Sequence, residues 1–184
     1  MRYFTRRTFF AAAAASLAAV AAPAQAAGTS AIVLFSRTGN TRILAEHIAA
    51  RTGAPIFEIE PAVPYAESYS DMTYIAQSEI RSDARRALKK PLPDLSRYRK
   101  VFICGPLWWG TLNVPMRSYL AEAKLSGKEL FPVTTSGSSS PEGVVRDVKR
   151  LAPGCKVRRE FWVPGSEARS SLGELDAWLK ASGF

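Results

Sequence analysis

Five short apolar runs, each followed by a stretch of helical spacing, constrain this chain more than any other feature of its sequence. The first, Ala31-Ile32-Val33-Leu34-Phe35, is apolar without a break, as strands buried on both faces are. Asn40 to Thr52 then carries Ile43, Leu44, His47, Ile48 and Arg51 at helical spacing, and Gly53 supplies a stop. Further strands are predicted at 55–60, which Pro61 and Pro64 end, and at 100–105, 129–135 and 156–163. Helices are predicted over 70–88 and 114–124, from Ser140 to Leu151, and from Ser171 onward. Ser140-Pro141-Glu142 offers a hydroxyl N-cap, a proline at the first helical position and an early acid. Ser171-Leu172-Gly173-Glu174 reads as a capping box. Strand followed by helix, repeated five times, gives an α/β fold: a five-stranded parallel sheet covered by helices on both faces. A single change of winding direction covers both faces and sets the expected strand order 2-1-3-4-5. Ligands on such sheets bind beyond the carboxyl ends of the strands, at the point where winding reverses, between the first and third strands.

The chain has 184 residues, enough for one domain with a full core. Its start is set apart. Met1–Ala26 holds Arg2, Arg6 and Arg7 and no acid, then the apolar run Phe9–Ala22, then Pro23-Ala24-Gln25-Ala26. This is the layout of an export signal peptide over residues 1–26, with cleavage after Ala26 leaving 27–184 as a single domain. Thr5-Arg6-Arg7-Thr8-Phe9 resembles the twin-arginine signal, with departures at Phe10 and Ala11. That resemblance implies export of a folded chain, often with a cofactor already loaded. The expected location is therefore periplasmic or extracellular, with the membrane met only transiently through the signal. An uncleaved membrane anchor is the alternative, although an apolar run of about 14 residues falls short of the ~20 that a spanning helix needs.

The formal net charge is +9, and the leader supplies three arginines of it, so residues 27–184 carry +6. Such a surface attracts anions and acidic partners. No Lys/Arg stripe is interleaved with aromatic residues, which argues against nucleic acid as a partner. The densest run, Arg81, Arg85, Arg86, Lys89 and Lys90, reads as a solvated helix face. Cys104 falls in an apolar strand and Cys155 in a turn. A disulfide is open to an exported protein, and two unpaired thiols is the favoured reading. Without a C-x-x-C pair, no zinc or thioredoxin-type site is supported.

The loops after the first, third and fourth predicted strands carry the chemistry. Ser36-Arg37-Thr38-Gly39-Asn40-Thr41 lets backbone N–H groups converge, adds hydroxyl and amide donors, and stands at a helix N-terminus. It lacks both G-x-x-x-x-G-K-[ST] and G-x-G-x-x-G, so it suits one terminal phosphate better than a pyrophosphate. The same residue types also cap helices that hold no ligand. Pro106-Leu107-Trp108-Trp109-Gly110-Thr111 sets two tryptophans at a strand end, where they either stack on a ligand or pack under loops. Thr135-Ser136-Gly137-Ser138 is a third, donor-rich loop. A flat heteroaromatic ring with a phosphate tail fits the set.

With these loops, and with Glu58-Ile59-Glu60-Pro61 and Pro91-Leu92-Pro93-Asp94-Leu95, the chain resembles the flavodoxin-like family from about Ala31 to its end. The resemblance implies the flavodoxin-like three-layer sandwich and FMN as cofactor. Carried over, Ser36, Thr38, Gly39, Asn40 and Thr41 would hold the phosphate. Pro106, Leu107, Trp108, Trp109, Gly110 and Thr111 would line the ring and ribityl chain. Thr135, Ser136, Gly137 and Ser138 would close the other side. The last loop has no aromatic residue, so one ring face is left open or covered by another element. Arg37 and the net +6 would favour the negative charge that flavin gains on reduction. The expected function is electron transfer, or reduction of small acceptors, with an unidentified redox partner. Whether the chain is a carrier or an FMN-dependent oxidoreductase stays open. No catalytic acid or base is assigned: the only histidine, His47, sits on the first predicted helix, and no G-x-S-x-G is present. The alternative is a non-enzymatic binding domain of the same fold that holds another phosphorylated ligand, or none.

Overall fold

The computed structural model describes residues 29–184, and the predicted export leader lies outside them. The predicted alternation is present, with strands β1 (Ser30–Leu34), β2 (Ile56–Glu58), β3 (Lys100–Trp108), β4 (Thr111–Leu112), β5 (Glu129–Ser136), β6 (Lys156–Val157) and β7 (Phe161–Pro164). The helices are α1 (Asn40–Thr52), α2 (Tyr69–Arg81), α3 (Val114–Glu122), α4 (Val144–Leu151) and α5 (Leu172–Ala181). The main path of the sheet runs β2-β1-β3-β5-β6, all parallel. In addition β7 pairs in parallel with β5, and β4 pairs antiparallel with β3.

The sheet thus has seven strands rather than the five predicted, for two local reasons. The predicted strand 156–163 breaks at Arg158-Arg159-Glu160, where charged residues interrupt the apolar pattern. Both halves add to β5, but the register slips by one residue between them: Glu129 faces Lys156, whereas Val133 faces Phe161. The second reason is a turn at Trp109-Gly110 that sends Thr111 and Leu112 back along the end of β3.

Each central strand feeds two cores. Ala31 and Val33 of β1 point to one face, with Val101, Ile103, Tyr119, Leu120 and Val148. Ile32 and Leu34 point to the other, with Phe102, Phe131, Leu44, Ile48, Leu175 and Leu179. Alternation across the pleat therefore packs α3 and α4 on one side and α1 and α5 on the other. Cys104 is buried in β3, and burial pushes its thiol well above the usual range; Cys155 donates to the Leu125 carbonyl at 2.9 Å. Both are free thiols.

Two helix boundaries and one cap differ from expectation. Helix α2 stops at Arg81, not near 88, because Asp83 takes a positive φ of 49° and the chain then extends to a bridge between Leu88 and Pro61. The basic run beyond it is consequently no helix face: Lys89 pairs with Glu60, Lys90 with Glu122, and Arg86 lies over the Tyr65 ring at 3.9 Å. Helix α4 begins at Val144 with Gly143 as its N-cap; Ser140 instead accepts from the Glu142 amide at 3.4 Å, closing a turn before the helix. Ser171 is the N-cap of α5, but its side chain makes no capping bond.

Candidate functional site

The path β2-β1-β3 places the reversal of winding at the carboxyl ends of β1 and β3. Helix α1 starts there, with Gly39 as N-cap at φ 87°, no side-chain cap and no acid in its first turn. Helices α2 and α3 differ: Ser68 accepts from the Asp71 amide, and Asn113 accepts from the Met116 amide. Helices α4 and α5, like α1, have no side-chain cap at the N-cap residue, but at α1 the Arg42 amide donates to Ser36 Oγ at 3.3 Å, so the positive end of this helix opens on residues of the crevice. Thr41 and Thr135, both buried, share a 2.8 Å hydroxyl–hydroxyl bond that joins the loop after β1 to β5.

The hairpin between β3 and β4 presents the two tryptophans differently. Trp108 is wedged edge-on between Phe35, at 5.7 Å, and Tyr65, at 5.1 Å between ring centres. Tyr65 is itself fixed by donating to Glu79 at 2.5 Å, and burial first, then this bond, pushes its hydroxyl above the ordinary range. Trp109 is 49 % exposed and donates its Nε1–H to the Thr73 carbonyl of α2 at 3.2 Å. On the β5 side, Ser136 donates to the Ser139 carbonyl at 2.6 Å and accepts from Trp162 Nε1 at 3.0 Å. Ser139 in turn accepts from the Gly110 amide at 3.1 Å, tying the third loop to the second.

These loops enclose a cavity of about 460 Å³, within the ~300–1,000 Å³ common for small-molecule sites. The residues that line it come from the loops after β1, β3, β5 and β7 and from one side of α2. A family model described as Flavodoxin matches residues 30–181.

The chain belongs to the flavodoxin family.

Solved structures agree on the fold of this chain. A candidate flavoprotein from Bacteroides uniformis ATCC 8492 shares 25 % identity at a TM-score of 0.71, covering 84 % of this chain and 99 % of its own. One from Bacteroides eggerthii DSM 20697 shares 25 % at 0.72, covering 84 % and 97 %. A flavoprotein from Lactobacillus acidophilus NCFM, solved in complex with FMN, shares 19 % at 0.64, covering 82 % and 99 %. No curated protein sequence matches the chain.

Of the residues singled out from the sequence, all line the cavity except Gly39, Gly110 and Thr111. The two glycines set turns at positive φ, and Thr111 points its hydroxyl away, into a buried network. Arg37 lines the cavity, yet its guanidinium donates to the carbonyls of Glu67, at 2.6 Å, and Ala66, at 3.3 Å. It therefore holds the entry to α2 rather than standing as a free charge. The lining residues that sequence reasoning missed are Tyr69, Met72, Thr73 and Ala76 on α2, and Ser139, Gly165 and Ser166. The α2 spacing, i, i+4 and i+7 for Tyr69, Thr73 and Ala76, was a usable signal of one shared face. Gly165 and Ser166 follow β7, so the strand-end rule applied to them as well. His47 lies on the far side of α1, bonded through Nε2 to Asp176 of α5 at 2.7 Å.

Proposed function

We propose that this flavodoxin-family chain is exported, binds FMN in the crevice at the strand ends, and serves in electron transfer or the reduction of small acceptors. The observation that carries the reading is the convergence of three separate, chemically distinct loops on one cavity of about 460 Å³. Its donor set fits the cofactor. The start of α1, where Gly39 brings no side chain and Ser36 Oγ accepts from the Arg42 amide, suits a phosphate dianion, with Thr38, Asn40 and Thr41 around it. Trp109 offers an exposed indole for a flat ring, and Tyr69 supplies an aromatic on α2 where the loop after β5 has none. Family membership and the FMN complex of the Lactobacillus flavoprotein point the same way. Export rests on the leader of residues 1–26, and residues 27–184 form the mature domain of this proposal.

When bound, FMN supplies reversible one- and two-electron chemistry. The chain's part is to hold and tune. Hydroxyls and backbone amides of 36–41 anchor the phosphate end, Pro106–Trp109 wall the ring and ribityl region, and Thr135–Ser138 line the opposite edge. Trp108 stiffens this wall through its edge contacts with Phe35 and Tyr65. The net +6 of residues 27–184 favours a cofactor that becomes more negative on reduction. The test is the visible spectrum of protein purified from the full gene, followed by titration with FMN. Yellow protein holding FMN one to one is expected. Colourless protein that gives no heat with added FMN overturns the reading and leaves a binding domain for another ligand.

A further inference from the structure

The hairpin that carries Trp109 is held from behind by a buried chain of polar groups. Resting on the reading of the crevice as an FMN site, we propose that Arg117, Thr111 and Asp147 are positioning residues that set Trp109 at the cofactor wall.

The Thr111 hydroxyl accepts from Arg117 Nη1 at 2.9 Å and donates to Asp147 Oδ2 at 2.5 Å. The direction of both bonds is fixed, because a guanidinium only donates and a carboxylate only accepts. The same guanidinium donates through Nη2 to Asp83, which also pairs with Arg85. One hydroxyl thus links β4 to α3 and α4, and Arg117 carries the link on to the turn after α2. Arg117 is 4 % exposed and Thr111 8 %.

Stability alone accounts poorly for this arrangement. Arg117 Nε is buried without a partner, and a buried cation so incompletely satisfied is less favourable than an apolar side chain of similar volume. What the fork provides is direction. Thr111 sits opposite Trp108 across a two-residue turn whose central residues, Trp109 and Gly110, have φ of 52° and 76°. Positive φ at both positions belongs to the tight hairpin turn that glycine and asparagine favour, and tryptophan is disfavoured there. Something must hold it. Trp109 Nε1 bonds Thr73 and the Gly110 amide bonds Ser139, both on the cavity side; the Thr111 hydroxyl secures the turn from the opposite side. Thr111 does not line the cavity, so its influence on a ligand there passes through Trp109.

The test is a mutant cycle read by FMN titration and by the near-ultraviolet circular dichroism of the tryptophans. Thr111→Val keeps the shape and removes the hydroxyl; it is expected to weaken FMN binding about tenfold and to change the tryptophan signal. Thr111→Ser restores the hydroxyl and should bind within about twofold of wild type. In a Trp109→Gly background, which relaxes the turn and removes the indole, Thr111→Val should add no further loss. Asp147→Leu, of similar size and with no acceptor, gives the same pattern at about threefold and serves if Thr111→Val does not fold. Wild-type affinity and dichroism in both Thr111→Val and Asp147→Leu overturn the proposal, as does a loss that simply adds to that of Trp109→Gly. Failure of the wild type to bind FMN is a different result, and strikes the function instead.

Discussion

Gly39 shows how much of the site rests on single residues. It is the N-cap of α1 in the left-handed region, at φ 87°, and a Cβ built there meets no atom within 4 Å. The obstacle to any other residue is therefore conformational, not steric. Gly39→Ala should cost about 1 kcal/mol of stability, read as a lower urea midpoint with an unchanged slope. It should also weaken FMN binding, because relief of the strain rotates the amides at the helix start. An alanine variant that matches wild type in both would show that the left-handed turn is dispensable. The chemistry at this scale was legible, since hydroxyls, amides and glycine announce a donor-rich turn in the sequence itself. What each side chain faces was not. Arg37 read as a charge facing the ligand, whereas its partners are carbonyls at positions 66 and 67. Those bonds depend on how the chain between them folds back, which no local pattern encodes. Thr111 is similar: its place in the loop was visible, but its partner Asp147 is 36 residues away.

At the scale of elements, patterns that repeat inside one element were readable and those that depend on two were not. The continuous apolar runs of β1 and β3 and the Gly53 stop of α1 fall in the elements read from the sequence, although β3 runs on past 105 through Trp108; the Gly53 amide bonds the Ala49 carbonyl at 2.9 Å. The end of α2 and the division of β6 from β7 are set by contacts with Pro61 and with β5, and were missed. The shortfall in α2 has a dynamic consequence. Only Met72 and Ala76 are buried along its thirteen residues, while Tyr69 and Tyr74 are each 72 % exposed. By contrast β3, flanked by β1 and β5, is buried along most of its length. Local opening is easiest where few apolar contacts are lost. Amide exchange of α2 should therefore run well ahead of that of β1, β3 and β5, with β3 exchanging only on global unfolding. FMN should slow exchange in α2, because Tyr69, Thr73 and Trp109 share the cavity. Equal protection of α2 and β3 without ligand would contradict this ordering.

The whole molecule adds a term that no single contact supplies, its net positive charge, and this makes acid and alkali act differently on stability. Several carboxyls sit below their ordinary range: Glu129 through its bond from Arg158, Asp83 through Arg85 and then Arg117, and Asp176 through Arg51 and then His47. A lowered value in the fold means a contribution present above the ordinary carboxylate range, near pH 4, and lost as pH falls through the lowered value. Protonation there also adds to a charge that is already +6 over residues 27–184, so self-repulsion grows as the ion pairs fail. Tyr65 and Tyr119 have the opposite sign, since burial pushes both hydroxyls upward. Their contribution is complete below the ordinary tyrosine value, near pH 10, and is lost as pH rises from there through the raised values. Loss of positive charge from lysines in the same range reduces repulsion rather than increasing it. The melting temperature should therefore be level through the middle of the range and fall at both ends, with salt acting at one end only. Added sodium chloride screens the repulsion and should recover part of the loss at low pH; it cannot restore a buried phenol that has to ionise at high pH. Calorimetry across pH at two salt concentrations reads this directly. Equal recovery at both ends, or none at the acid end, would mean that net charge has little part in the stability of this fold.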